Sequence, residues 1–189
     1  AMAWSARHAE PRFYWDWQRR QTGNQSAKFC GTPPLAHIAG LETAIALLEA
    51  EGLPNVWARH QRLAGAVHAA VERWAVPGAL RFHARLPQTR SASVTAIEVA
   101  PGIDPEALRT VARERFQVAM AGGLGPLAGR VFRIGHLGDM NEPMILGALA
   151  GIEAAMTVQK IPFGTDGVAA AVAFLAAESK AAQRVAASV

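Results

Sequence analysis

Gly122-Gly123-Leu124-Gly125-Pro126-Leu127-Ala128-Gly129-Arg130-Val131-Phe132-Arg133-Ile134-Gly135-His136-Leu137-Gly138-Asp139 decides how this chain is read. A glycine-rich loop runs into a short apolar strand, and an arginine stands in the middle of that strand. Side chains alternate along an extended chain. Val131, Arg133 and Gly135 therefore share one face while Phe132, Ile134 and His136 share the other. The second set reads as core. Arg133 projects on the opposite side, and Gly135 leaves room beside it. A guanidinium taken out of water without a counter-charge is strongly unfavourable. Arg133 must then meet either a structural carboxylate or an anionic ligand, and on the residues alone both stay open. With cleared space a guanidinium grips a carboxylate bidentately, which lysine does not reproduce.

The loop ahead of the strand, residues 122–129, lacks the GxxxxGK[ST] arrangement and precedes a strand rather than a helix. It reads as a tight connection whose backbone comes close to a ligand, not as a nucleotide loop. His136 and Asp139 have no nucleophile fixed beside them, so His136 reads as a satisfied core or interface histidine.

Working outward, Pro33-Pro34 opens a helix for which Thr32 is a candidate cap; Ile38, Leu41, Ile45 and Leu48 form its apolar stripe and Gly52 stops it. A second helix runs from about Asn55 to Pro77-Gly78, burying Val56, His60, Leu63, Val67, Val71 and Trp74. Residues 80–83 and 93–99 read as strands. Asp104-Pro105-Glu106 starts a helix, with a capping side chain, a proline and an acid in the first turn. Its face carries Leu108, Val111, Ala112 and Phe116. Residues 117–120 and 130–135 read as the remaining strands. Asn141-Glu142-Pro143 begins another helix, with Met144, Ile145, Leu149, Ile152 and Met156 as bulk and Gly147, Ala148 and Gly151 for close approach to a sheet. A last alanine-rich helix covers about 167–184. The order of elements predicts an α+β fold: a small, mostly antiparallel sheet with helices on one face, preceded by an N-terminal arm.

Composition narrows the function classes. Of 189 residues, 51% are apolar and 18% charged, enough for a sizeable core. The net charge of +4 is spread over helices with no basic run interleaved with aromatics, so nucleic acid is not the expected partner. The single Cys30 excludes an internal disulfide and fits a reducing compartment. One cysteine and six dispersed histidines form no metal pattern, and His60 and His68 lie too far apart on one helix to pair as ligands. No secretory leader is read, and the uncharged stretches 143–152 and 167–177 are too short to span a bilayer, so a soluble cytoplasmic protein is expected. Residues 1–34 hold Trp4, Trp15 and Trp17, three of the five tryptophans, without a clear core of their own. They read as a cover for the following helices or as a surface for a partner.

The stretch from Gly123 to Asp139, with Gly147-Ala148-Leu149-Ala150-Gly151-Ile152-Glu153, closely resembles the C-terminal part of the class V pyridoxal-phosphate aminotransferases. Phe13-Tyr14-Trp15-Asp16-Trp17 and Gly52-Leu53-Pro54-Asn55-Val56-Trp57-Ala58-Arg59-His60 are similar to that family too, most of all to its serine–glyoxylate and alanine–glyoxylate members. The resemblance implies a fold type I enzyme that works as a homodimer. Residues 1–34 would be a remnant of the large domain and inter-domain arm, and residues 35–189 the small C-terminal domain. It implies that Arg133 binds the α-carboxylate of an amino acid or 2-oxo acid. It also implies that Thr32 reaches the phosphate of pyridoxal 5′-phosphate held by the partner subunit. Gly31 stands where bacterial relatives carry a tyrosine before the threonine. None of Lys28, Lys160 and Lys180 sits in the sequence context of the family's cofactor-binding lysine, so this chain alone is not expected to transaminate. The competing expectation is a non-catalytic module that dimerises or binds small carboxylates.

Overall fold

The structure, a computed structural model, describes residues 2–8, 16–21, 23, 24, 28, 29 and 31–186. Phe13, Tyr14, Trp15 and Cys30 lie outside the described residues. The chain divides into two compact units, residues 1–53 and 54–189.

The first unit holds helices α1 (Met2–Arg7), α2 (Trp17–Arg20) and α3 (Leu35–Glu51). In α1, Trp4 is exposed and stacks on His8 at 4.2 Å between ring centroids. The helix expected after the double proline forms, but its cap is Pro34 and no side chain caps it, so Thr32 does not play that part. Gly52 ends it with a φ of 82° and an N–H donated to the Leu48 carbonyl at 2.9 Å. The expected stripe is not a buried face: Ile38, Leu41, Ile45 and Leu48 are all exposed, and so are Leu35 and Leu47. Alanines and leucines occur on every side of α3, so the sequence gives no polar face to orient it.

The second unit is built on a four-stranded antiparallel sheet of β1 (Leu80–Phe82), β2 (Val94–Val99), β3 (Ala121–Gly122) and β4 (Val131–Gly135), in the order β1-β2-β4-β3. Helices α4 (Leu53–Trp74), α5 (Pro105–Phe116), α6 (Glu142–Val158) and α7 (Gly167–Ala186) supply the rest. Register puts Leu80, Phe82, Ile97, Phe132 and Ile134 on one side of the sheet. These pack with Leu63, Val67, Val71 and Trp74 of α4, Leu108 and Ala112 of α5, Ile145, Leu149, Ile152 and Met156 of α6, and Ala171 and Leu175 of α7. The helices thus gather on one face of the sheet, as expected, and the hydrophobic effect accounts for their placement.

Local chemistry sets the helix ends. Asp104 accepts the Glu106 N–H at 2.8 Å and Asn141 accepts the Met144 N–H at 3.0 Å, each followed by a helix with proline in its first turn. Glu153 joins three helices, accepting the Trp74 indole N–H at 2.8 Å and the Val168 N–H of α7 at 3.0 Å. Two expectations need correction. Residues 117–120 are not a strand, because Gln117 takes the left-handed conformation (φ 58°) that closes α5, and the ladder starts only at Ala121. In α6, Gly151 allows close approach to Val118 and Phe116 rather than to a strand, while Gly147 faces open space and Met144 is exposed.

Candidate functional site

Arg133 sits at the centre of β4, with Ala96 of β2 opposite it on one side and Ala121 of β3 on the other. Both neighbours are small, and Gly135 beyond it adds no side chain, so the guanidinium rises from cleared sheet surface on the face away from the helices. It is half-buried, and its Nε donates to the Gly122 carbonyl at 2.8 Å. Among the described residues no carboxylate lies within ion-pair distance of it, and its two terminal nitrogens make no hydrogen bond. The structural-carboxylate alternative therefore falls. A fixed guanidinium with both Nη groups free is the donor fork that a carboxylate accepts.

The loop ahead of β4 is folded onto itself. A 3-10 turn spans Gly125–Leu127, and the N–H groups of Leu127, Ala128 and Arg130 donate to carbonyls of Leu124, Gly125 and Leu127 at 3.0–3.1 Å. A Cβ on Gly123 would stand 1.9 Å from the Leu127 carbonyl oxygen. With these donors used internally the loop is no anion cradle, and its glycines serve its compactness. After β4, Arg59 of α4 donates to the carbonyls of Gly138 and Met140 at 2.6 and 3.1 Å, and the Gly138 N–H donates to His60 Nε2 at 3.0 Å. Arg59 and His60 thereby fix the exit of the strand that carries Arg133.

On the helix-covered face, His136 is fully buried. Its Nδ1 donates to the Ala92 carbonyl at 3.1 Å, and Thr95 Oγ1 donates to its Nε2 at 2.9 Å. Burial holds it below its ordinary pKa, so it is neutral, a satisfied core histidine with no acid–base role. His68 of α4 meets it edge-on at 6.1 Å and is pushed down to about 4, first by burial and then by His136 and Arg90. Asp139 is exposed.

Sequence reasoning missed a second polar group on the face of Arg133. Glu98 accepts from Arg81 at 2.7 Å, His83 at 2.8 Å and Arg85 at 3.2 Å. The His83 hydrogen bond, more than the arginines, holds its carboxyl below the usual range. The signal was present: Arg81, His83 and Arg85 recur with period two, and Glu98 follows Val94 and Ala96 on one side of β2. Thr32 belongs to the first unit, exposed, with no hydrogen bond from its hydroxyl among the described residues. No group of three or more potential metal ligands occurs among the described residues, and no helix there is long and apolar enough to cross a membrane.

An open-faced α+β unit that presents an unpaired arginine from its central strand is suited to holding the carboxylate of a small acid. Residues 13–129 match the aminotransferase class-V family model, and the chain belongs to that family. It is 41% identical to the serine–glyoxylate aminotransferase of Methylorubrum extorquens, over 87% of this chain and 40% of that protein. It is 39% identical to the L-aspartate–glyoxylate aminotransferase of Paracoccus denitrificans, over 94% of this chain and 44% of that protein. Among solved structures, the pyridoxamine–pyruvate aminotransferase from Mesorhizobium loti superposes with a TM-score of 0.72 at 34% identity, covering 79% of this chain and 38% of that one. The chain thus spans about two fifths of the length of the relatives it matches.

Proposed function

We propose that this chain supplies the substrate-carboxylate end of a pyridoxal-phosphate-dependent transaminase, a cytoplasmic homodimer that passes an amino group from serine or alanine to glyoxylate. The observation that carries this is Arg133: half-buried, tied by Nε to a backbone carbonyl, with two terminal nitrogens free on cleared sheet surface. Bidentate pairing would hold a carboxylate in one orientation and place its α-carbon reproducibly, which is the positioning part of catalysis. The relatives named above differ in the amine they are named for, yet each name includes a 2-oxo acid, glyoxylate or pyruvate. A carboxylate clamp is what such reactions share.

Pyridoxal phosphate, when bound, supplies the electron sink through which the amino group moves. The residues present fit one end of that group. The exposed Thr32 hydroxyl, not engaged as a helix cap, is available to donate to a phosphate oxygen, and we assign it to the cofactor of the partner subunit. None of Lys28, Lys160 and Lys180 is assigned to the cofactor's carbon. That amine belongs to the part of the relatives' length this chain does not span, so we expect the chain by itself not to transaminate.

The test is Arg133→Lys in the protein encoded by the full reading frame. Loss of the bidentate pair should lower kcat/KM for the amino acid and the oxo acid by about 100-fold, the scale for truncating a buried charged contact. The absorbance of the bound cofactor should be unchanged. Equal kinetics in the two proteins would remove the carboxylate role. A carboxylate-binding module without catalysis would instead bind the acids and show no cofactor absorbance at all.

A further inference from the structure

Arg133 is aimed by a carbonyl, and that carbonyl belongs to a weak element. Strand β3 is two residues long, lies at the sheet edge, and pairs only through Ala121↔Arg133 and Gly122↔Phe132. So short a strand does not hold its own position. What holds it is α5. Arg109 donates its Nε to the Met120 carbonyl at 2.8 Å, one residue before the strand, and its Nη1 pairs with Glu106 one turn earlier on the helix. The pair lies flat against Gly122, where a Cβ would stand 2.7 Å from Glu106 Oε1 and 2.8 Å from Arg109 Nη1. Glycine there lets the ion pair touch the backbone that presents its carbonyl to Arg133.

We infer that Arg109 is a positioning residue for substrate: through the Met120 carbonyl and Gly122 it fixes the carbonyl that orients the Arg133 guanidinium, and so sets its grip on a carboxylate. The inference rests on the reading of Arg133 as a carboxylate clamp. Only an arginine in this place can pair with Glu106 and hold Met120 at once. Its Nε and Nη1 point to different partners, whereas a lysine brings a single ammonium group. The same reasoning makes Gly122 a specificity position in the backbone, because any side chain there displaces the pair. Arg109 never contacts the substrate in this scheme. Its effect is confined to how well Arg133 is preorganised.

Three variants of the full-reading-frame protein test it: Arg109→Met, Arg109→Lys and Gly122→Ala, assayed at a temperature where circular dichroism shows each folded. All three should raise KM for both acids by about tenfold, the scale of one lost orienting hydrogen bond, with kcat changed far less. Arg109→Lys keeps the charge and the Glu106 partner, so it should recover stability without recovering KM. In ¹⁵N spectra the Arg133 Nε–H signal should exchange with water about tenfold faster in Arg109→Met than in the parent, because its acceptor is no longer fixed. Unchanged exchange, or unchanged KM in Arg109 variants while Arg133→Lys raises it, overturns the positioning role alone. Faster exchange with KM unaltered by both Arg109 and Arg133 substitutions would sink the carboxylate reading and leave the hold of α5 on β3 intact.

Discussion

Replacing His68 by leucine should flatten the acid side of the protein's stability curve. His68 projects from α4 toward His136, with Phe82 edge-on at 5.7 Å, Arg90 stacked on that phenyl ring at 3.6 Å, and Glu72 paired to Arg90 at 2.9 Å. Its Nε2 is buried without a hydrogen-bond partner. Burial, then His136 and Arg90, disfavour the protonated ring, and Glu72 opposes them only weakly, so the folded value falls from 6.5 to about 4. Above the unfolded value neither state takes the proton and the neutral ring contributes fully. As pH falls below that value the unfolded chain is protonated first, and stability drains until the folded ring also titrates. At about 1.4 kcal/mol per unit the full window is worth about 3 kcal/mol, and about 1.4 kcal/mol is already lost near pH 5.5. Water reaching the half-buried ring screens part of this, leaving about 1 kcal/mol there. Urea unfolding in steps from about pH 7.5 to about pH 5 reads the slope directly. That range stays above the carboxylate window, where the lowered Glu98 loses its contribution as pH falls below 4.5 and through its folded value. Parallel slopes for the parent and His68→Leu would refute the assignment of the acid sensitivity to this ring.

Two further outcomes follow from single contacts. Glu153→Ala leaves the Trp74 indole N–H and the first-turn N–H of Val168 without their acceptor, so urea unfolding should show a loss of about 2–4 kcal/mol, with a change in tryptophan emission. Thr32→Val in the full-reading-frame protein removes one donor to the cofactor phosphate and should weaken pyridoxal phosphate retention about fivefold, read by equilibrium dialysis, with KM for the acids unaltered.

What was legible in the sequence was whatever repeats or caps. The alternation through Val131–Gly135 gave the face of Arg133 correctly, because a strand covered on one side must separate its residues by period two. Asp104 and Asn141 announced their helices because the side chain that caps is itself the signal. The stripe of α4 was legible for the same reason, and Val56, Leu63, Val67, Val71 and Trp74 are all buried. Elements defined by a partner were not legible. Val118 and Met120 suggested a strand, but β3 is a strand only where Arg133 and Phe132 come alongside it, and Gln117 had to turn through a left-handed conformation first. Thr32 before two prolines looked like a cap, yet the helix starts one residue later than a Thr32 cap can reach. The acceptor that aims Arg133 is a glycine carbonyl, and no residue type marks a carbonyl in advance.

The unpaired state of Arg133 has a cause in the same sheet. Among strand residues that share its face, Glu98 is the one carboxylate, and three cationic side chains from β1 and the turn after it already surround that group. An ionised Glu98 with no such partners would be drawn toward the guanidinium, since opposite charges on one half-buried face attract far more strongly than in water. Arg81, His83 and Arg85 hold it at the β1 side instead, and Ala96 separates it from Arg133 along β2. The opposite face carries only neutral groups near β4, because His136 is kept uncharged by burial. The cation that remains available is therefore Arg133, set among Ala96, Ala121 and Gly135, none of which offers a side-chain hydrogen bond. Such a surface can recognise a carboxylate but cannot tell one amino-acid side chain from another. Discrimination between donors must then come from residues beyond this sheet, while the sheet supplies the contact that every donor and acceptor acid has in common.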